Sequence, residues 1–448
     1  MAKNFISEDD IEQGLIQRLQ HLCGFNALNC HTAQPDDLND GSGRTDKREV
    51  ILASRLRAAV ERLNPQAPAQ AVDQAMAQLL MPRTAMSLAA ANREVDGLIR
   101  DGVPVTYKPE TGPQAGQTVT ERLRVIHFDE PAPQAGHNDY LVVSQLWIRG
   151  EHGYRRPDVL LYVNGLPLVF IELKNSNVKL RAAFDDNLTT YKAEIPQLFV
   201  ANALCLLSNG IETKVGSLTA QWEHFFAWLR VDDEKEPLDR KDIAQRGLSV
   251  ERAVLGLLKP ERLLDYVENF CVFYKETQKV IAQNHQFLGV NNAFAQFTRR
   301  RELGGKLGVF WHTQGSGKSF SMVFYTRKVF RKLTGDFTFV VVTDRDDLDV
   351  MALNGPVDYR LERLGGIGTW HTPLGDAATA KVREAFFRLT DYAPEDAAHV
   401  PSAELDVGGK RTLHVPKSLK GVAVFSFKRL CGEARGAADY LEKPLGPA

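Results

Sequence analysis

Cysteine is scarce in these 448 residues and follows no pattern. The five thiols, Cys23, Cys30, Cys205, Cys271 and Cys431, include no Cys-x-x-Cys pair and make an odd total. That argues against a zinc ribbon or a disulfide framework and fits reduced thiols in a cytoplasm. Apolar runs long enough to span a membrane are missing, and the polar N-terminus is no signal peptide. Neither sign of charge is in excess: 55 lysines and arginines face 56 acids, a formal net charge of -1. Global charge therefore gives no hint of nucleic acid. Any basic surface must be local, as at Arg299-Arg300-Arg301 with Lys306 close by. Internal repeats, a helix-turn-helix and a zinc module are absent too. With 25% charged and 44% apolar residues the composition is ordinary, and the length predicts two or three domains.

The elements that are present alternate between helix and strand. Ser7-Glu8-Asp9-Asp10 is a helix start, with Ser7 as N-cap and Asp10 three residues on. Ile11, Leu15, Leu19 and Leu22 mark its buried stripe, and Gly24 its stop. Glu8 and Glu12 fall on or beside that stripe, where carboxylates are less usual; snorkelling at the edge is the plain alternative to a functional role. Residues 47–63 and 66–80 predict amphipathic helices broken by Pro65. Residues 101–138, rich in Pro, Gly and Gln, predict loops around short strands such as 123–128. Strands are expected at 140–148, 158–163, 168–174 and 203–208, with a helix around 182–194 before the last. Residues 232–240 are densely charged, as in a linker, and 250–284 read as helical. A second α/β pattern follows, with strand 307–311, helix 319–333 and strand 337–343; residues 392–411 read as an irregular insertion.

One strand breaks its own pattern. Leu168 to Leu173 is apolar on both faces, yet it carries Glu172 and is followed by Lys174. Burying either charge unpaired costs several kcal/mol, about the scale of a domain's whole stability. Side chains alternate along a strand, so Glu172 and Lys174 share a face. Asp158 on the preceding strand, together with Glu172 and the Leu173 carbonyl, would hold a hard divalent cation such as Mg²⁺ through oxygen. Lys174 would then hold the attacking water and steady the developing charge on a phosphodiester. The plain alternative is an ion pair bordering a core strand. The geometry sets a condition. A regular two-residue turn at Asn164-Gly165 pairs Val163 with Leu166 and turns Asp158 away from Glu172, so the catalytic reading needs a three-residue loop or a bulge.

Further on, "GVFWHTQGSGKSFSMVFY" places Gly315-Ser316-Gly317-Lys318-Ser319 between an expected strand and a helix. The glycines let backbone N–H groups approach phosphate oxygens, Lys318 reaches the β and γ phosphates of ATP, and Ser319 binds Mg²⁺. The usual first glycine of this loop is replaced by His312.

The stretches "RRPDVLLYVNGLPLVFIELKNS", "DDNLTTYKAEIPQLF", "LSNGIETKVGS" and "SEDDIEQGLIQRLQHLCGFN" together resemble the restriction (R) subunit of type I restriction-modification enzymes. That subunit is a PD-(D/E)xK nuclease fused to a superfamily 2 helicase-like motor. The resemblance implies an α/β chain: a PD-(D/E)xK restriction-endonuclease-like domain at 1–230, a charged and helical linker at 231–284, and an incomplete RecA-like P-loop motor domain at 285–448. It implies Asp158 and Glu172 as metal ligands, Lys174 as the catalytic lysine, and Glu12, less so Glu8, beside them. Tyr191 closes a segment that is Gln-x-x-x-Tyr in many relatives; here it begins with Asn187, whose amide reaches one methylene less far. Asn284-His285-Gln286 resembles the motor's glutamine motif, in which Gln286 reads the adenine of ATP, while "FVVVTDRDDLD" and "VAVFSFKRL" resemble later motor segments, with Asp344 and Arg345 supporting the site or the DNA track.

An acidic D-E-x-H motif, arginine fingers and a second motor domain are not found before Ala448. The chain is therefore expected to bind ATP without hydrolysing it, as the N-terminal part of a longer subunit. The function implied is Mg-dependent double-strand cleavage of DNA in the cytoplasm, coupled in the full subunit to ATP-driven translocation, with methyltransferase (modification) and specificity subunits as partners and no membrane. The competing readings are a nuclease-helicase fusion without methyltransferase partners, and a catalytically dead remnant that docks on DNA or a partner.

Overall fold

The computed structural model describes residues 7–109, 115–130, 135–245, 249–274, 277–305, 307–312, 316–334, 402–406 and 412–416. They belong to two units, Met1–Asn284 and His285–Ala448.

The first unit opens on helix α1 (Glu8–Cys23) with the expected capping box: Ser7 Oγ accepts from the Asp10 N–H at 3.1 Å, and the Ser7 N–H donates to Asp10 Oδ2 at 3.2 Å. Gly24 closes it in the left-handed region, at φ 71°. The buried stripe is Ile11, Glu12, Leu15, Leu19 and Cys23. Leu22, expected in the stripe, is 48% exposed, because the stripe advances in steps of four from Ile11 and reaches Cys23 instead.

After strand β1 (Asn26–Asn29) come helices α2 (Ala53–Leu63), α3 (Ala69–Leu80) and α4 (Leu88–Asp101), then hairpin β2 (Val103–Tyr107) and β3 (Val119–Leu123). Strand β3 thus lies upstream of the 123–128 strand expected there. Strands β4 (Tyr140–Ser144), β5 (Ile148–Arg149), β6 (Tyr154–Arg155), β7 (Val159–Val163) and β8 (Leu166–Leu173) follow. The run expected as one strand, 140–148, is broken at Gln145, whose φ of 58° is incompatible with a strand. Strands β9 (Leu204–Ser208), β10 (Thr213–Gly216) and β11 (Phe226–Ala227) complete a seven-stranded mixed sheet, in the order β1-β4-β7-β8-β9-β10-β11. One face of the sheet, with Leu160, Tyr162, Phe170, Cys205 and Leu207, packs on Leu188, Tyr191 and Phe199. Those three come from the expected 182–194 helix, which is a π-helical turn (Ala183–Leu188) running into α5 (Thr189–Glu194), and from a short 3₁₀ turn (Pro196–Phe199).

The loop after β1 buries a charged cluster. The Asp40 carboxylate, fully enclosed, accepts from Arg44 Nη2 at 2.7 Å and Lys47 Nζ at 2.8 Å. These bonds and those from Ser42 hold it well below the usual carboxylate range although burial opposes them. Arg44 also donates to the carbonyls of Glu49 and Trp147, both at 3.0 Å, so the cluster ties this loop to the segment after β4.

Residues 231–284, expected as a linker, belong to the first unit. They hold α6 (Arg240–Gln245), α7 (Ser249–Ala253), a π-helical turn (Val254–Leu258) and α8 (Pro260–Asn269). Helix then stops short of the expected 284: β12 (Cys271–Tyr274) and β13 (Gln278–Ile281) pair as a hairpin, as the aromatic and β-branched run CVFY favours. Lys279, buried in that hairpin, donates to Asn92 Oδ1 at 3.0 Å and to the Asn202 carbonyl at 2.6 Å. Its neighbour Asp96 lies 3.6 Å away.

The second unit is described through α9 (Asn284–Thr298), α10 (Lys318–Lys332) and a hairpin of β14 (Ser402–Asp406) with β15 (Thr412–Pro416). That hairpin overlaps the expected irregular insertion at 392–411. The strand expected at 307–311 is not formed among the described residues. Val309 and Trp311 are exposed, and the strand expected to neighbour them, 337–343, lies outside those residues.

Candidate active site

The β7–β8 hairpin meets the condition its sequence set, by a bulge. Val163 pairs with Leu166 across a two-residue turn whose central residues, Asn164 and Gly165, have φ of 53° and 78°, as a type I′ turn requires. A Cβ on Gly165 would stand 2.5 Å from the Leu52 carbonyl oxygen, so the close approach of α2's N-terminus also needs glycine. Beyond the turn the register shifts between Leu161 and Tyr162. Tyr162 pairs with Pro167 but Leu161 with Val169, which leaves Leu168 as the extra residue. Val159 therefore pairs with Ile171, and the next position along sets Asp158 opposite Glu172. Without the extra residue Asp158 would stand opposite Ile171 and face away from Glu172.

Asp158, Glu172 and Lys174 meet at this end of the sheet. Asp158 Oδ2 accepts from the Leu173 N–H at 2.7 Å. Lys174 Nζ donates to Glu172 Oε1 at 3.1 Å and to the Leu173 carbonyl at 2.8 Å, and lies 3.9 Å from Glu8 Oε1. The Lys174 N–H donates to the Ser208 carbonyl at 2.9 Å, continuing the β8–β9 ladder past the strand's end. Glu172 is 1% exposed, and its Oε2 is buried with no hydrogen-bond partner. A buried, unsatisfied carboxylate oxygen is costly in a protein interior.

Burial raises the Glu172 carboxyl well above the usual range, and the nearby Asp158 charge raises it further. Burial also pushes Asp158 up to about 6, against the Leu173 N–H and the Lys174 charge. Lys174 is itself raised: burial disfavours the ammonium, but Glu172, Glu8 and Asp158 outweigh it. From α1, Glu12 is buried beside them and Glu8 is half exposed, so of the two expected glutamates Glu12 is the enclosed one. Burial pushes Glu12 up to about 7, against a hydrogen bond from Gln145.

Tyr191 comes to the same place on α5 but makes no hydrogen bond to either carboxylate. Its hydroxyl donates to the Arg156 carbonyl at 3.3 Å, its ring meets Phe170 edge-on, and the Asn187 side chain bonds to its phenol. Asn187 thus keeps its amide in use despite its shorter reach.

Gln145 is the residue that sequence reasoning missed. Its Nε2 donates to Glu12 Oε2 at 2.6 Å and its N–H donates to the Asp158 carbonyl at 3.1 Å, so one residue links α1's acid to the strand of Asp158. Apart from Asn164 it is the one non-glycine at positive φ among the described residues. Nothing in the run YLVVSQLWI marks that conformation. Gln145→Leu removes the hydrogen bond to a largely enclosed carboxylate, and we expect it to destabilise the first unit by about 1–3 kcal/mol near pH 8, read as a lower urea midpoint.

These side chains fit a hard divalent cation. Among the described residues no three His, Cys, Asp or Glu side chains group closely enough to hold a metal on their own, so a cation here would draw on Asp158, Glu172 and a backbone carbonyl. The orphaned Glu172 Oε2 is the atom a cation would satisfy.

In the second unit, Gly317 caps α10 at φ 77°, and Ser319 is buried in the helix's first turn. Gln286, buried on α9, donates to the carbonyls of Ser316 at 3.3 Å and Gly317 at 2.8 Å; a Cβ on Gly317 would stand 2.7 Å from its Nε2. Lys318 Nζ donates to the His312 carbonyl at 2.8 Å. Gly315, Asp344, Arg345 and the VAVFSFKRL stretch lie outside the described residues.

With this geometry in view, residues 5–224 match the family described as Type I restriction enzyme R protein N terminus. The chain belongs to that family, through its first half. Residues 285–355 match the SWI2/SNF2 ATPase family and residues 334–444 the AFG1-like ATPase family. Among curated relatives, the chain is 38% identical over 356 residues to the Type I restriction enzyme HindI endonuclease subunit of Haemophilus influenzae, covering 77% of the chain and 32% of that relative. It is 29% identical over 370 residues to the Putative type I restriction enzyme MjaIXP endonuclease subunit of Methanocaldococcus jannaschii, covering 77% and 33%. The SauCOLORF180P endonuclease subunit of Staphylococcus aureus is 26% identical over 218 residues, covering 47% and 21%. The chain thus spans about a third of the length of the first two. No helix among the described residues is long and apolar enough to cross a membrane.

Proposed function

We propose that the first unit is a PD-(D/E)xK nuclease that cleaves double-stranded DNA with Mg²⁺, within the R subunit of a type I restriction enzyme. The observation that carries this reading is the bulge at Leu168, which sets Asp158 opposite Glu172 and leaves Glu172 Oε2 buried without a partner. An ion pair bordering a core strand would need neither feature. Asp158, Glu172 and the Leu173 carbonyl would hold the cation. When bound, it supplies charge that polarises a phosphodiester and acidifies a water. Lys174, fixed beside Glu172, steadies negative charge on the phosphate, and Glu12, held by Gln145, accepts a hydrogen bond or a proton from water at the rim. Tyr191 braces the chain that leads into Asp158.

In the second unit, Gly315, Ser316, Gly317, Lys318 and Ser319 cradle the phosphates of ATP, Gln286 supports the loop from α9, and Ser319 would take a Mg²⁺. The match to the SWI2/SNF2 ATPase family supports that reading. In the complete subunit, ATP-driven translocation would feed DNA to the nuclease, and modification and specificity subunits would choose the sequence.

The test incubates the chain with supercoiled DNA and Mg²⁺ or Mn²⁺, beside Lys174→Ala and a chelator control. Nicking that needs the cation and is lost in Lys174→Ala supports the reading; nicking that persists in the variant places the chemistry elsewhere.

A further inference from the structure

We infer that Arg156 is a DNA-binding residue of this site, with its guanidinium resting on Trp147 and donating to a phosphodiester oxygen beside Asp158. The inference deepens the nuclease reading and rests on it. The observation behind it is an arginine that stands among acids without bonding to any of them. Its charge acts on both Glu12 and Asp158, yet among the described residues its side chain makes no hydrogen bond and no ion pair, only the contact with Trp147. Other arginines of this unit differ: Arg44 is paired with Asp40, Arg55 with Asp139 and Arg155 with Glu194. The guanidinium of Arg156 instead lies 4.8 Å from the centroid of the Trp147 ring. Stacking on an aromatic face holds a guanidinium in place while leaving its in-plane N–H donors for an outside acceptor.

Both ends of this arrangement are anchored. The Trp147 indole N–H donates to the Thr32 carbonyl at 3.4 Å, and the Trp147 carbonyl accepts from Arg44, a member of the buried Asp40 cluster. The Arg156 carbonyl accepts from Tyr191, and Pro157 fixes the link to Asp158. A buried ionic cluster is a poor source of net stability. Its bond from Arg44 to the Trp147 carbonyl gives it a use in pre-organisation. The charge balance points the same way. Glu8, Asp158 and Glu172 surround Lys174, and Glu12 acts on Asp158, so a polyanion approaching this rim meets an excess of carboxyl groups unless a second cation receives it.

The test measures binding of a labelled duplex to the full chain by fluorescence anisotropy in chelator, over a series of salt concentrations. Arg156→Met is compared with Arg156→Lys, Trp147→Leu and the control Arg181→Met, each melted to check folding. Losing one phosphate contact lowers the slope of log affinity against log salt by about 0.9. Arg156→Met is expected to show that change and about a tenfold weaker affinity, the loss of one charge-assisted hydrogen bond. Arg156→Lys should keep the slope and lose part of the affinity, and Trp147→Leu should weaken binding with Arg156 intact. Arg181→Met should match wild type. An unchanged slope and affinity in folded Arg156→Met, or no duplex binding by the wild-type chain, would overturn the inference. A changed slope alongside nicking that ignores Lys174→Ala would leave the DNA contact standing and sink the nuclease reading instead.

Discussion

Glu172→Ala is expected to lower Mg²⁺-dependent nicking by about a thousandfold or more, equivalent to ~4 kcal/mol in the barrier, while the chain melts no earlier than wild type. Two opposing effects meet in this residue. Glu172 sits at the end of a strand whose every residue is buried, and one of its oxygens has no partner. For the cation-free fold it is a liability, and truncating it removes a desolvation cost along with a few apolar contacts. For the proposed chemistry it is half of the carboxylate pair, and Asp158 alone, with a carbonyl, is a weak cation site. A residue kept for stability would show the reverse result, a lower melting temperature with nicking intact. The measurements are initial rates of supercoiled-plasmid conversion and a thermal melt on the same preparations.

The second large effect is on stability. Asp40→Ala is expected to destabilise the first unit by about 3–5 kcal/mol, because it leaves Arg44 and Lys47 buried with their shared carboxylate gone. Part of the loss comes from the loop, since Ser42 also bonds to Asp40 and Arg44 carries it to Trp147. Asp40→Asn keeps the shape and some hydrogen bonds but not the charge, and should fall between. Urea denaturation of the two variants would check the order, with unchanged midpoints showing that the cations find other partners.

Much of the site was legible before the fold was known, and for physical reasons. A glutamate and a lysine on one face of an otherwise apolar strand have few stable explanations, and Asn164-Gly165 names its own turn. Ser7, Asp10 and Gly24 mark the ends of α1 by capping rules that act locally. The bulge at Leu168 could be stated as a requirement but not read directly, because no residue in LPLVFIEL announces an insertion. Gln145 was hidden for a similar reason: its partners Glu12 and Asp158 are distant in sequence or on another strand. Arg156 and Trp147 likewise acquire meaning only when the fold brings them together. The stretch 231–284 misled through composition. Its charges mark the solvent side of a folded element, and its attachment runs through Trp228, Tyr266 and the single buried amine of Lys279.

The account's central claim is that a divalent cation compensates the buried carboxylates, and thermal melting with and without Mn²⁺ tests it most directly. Burial raises Asp158 to about 6 and Glu12 to about 7, and Glu172 well above its usual value. In the unfolded chain these groups titrate near ~4. The folded state therefore holds protons that the unfolded chain has released, and cation-free stability falls as pH rises from about 4 to about 7. At pH 8 in chelator the penalty is fully present for Asp158 and Glu12. Adding Mn²⁺ there should raise the melting temperature of the wild-type chain by several degrees, while Glu172→Gln should start higher in chelator and respond far less. Equal shifts in the two proteins, or no shift in wild type, would contradict the account.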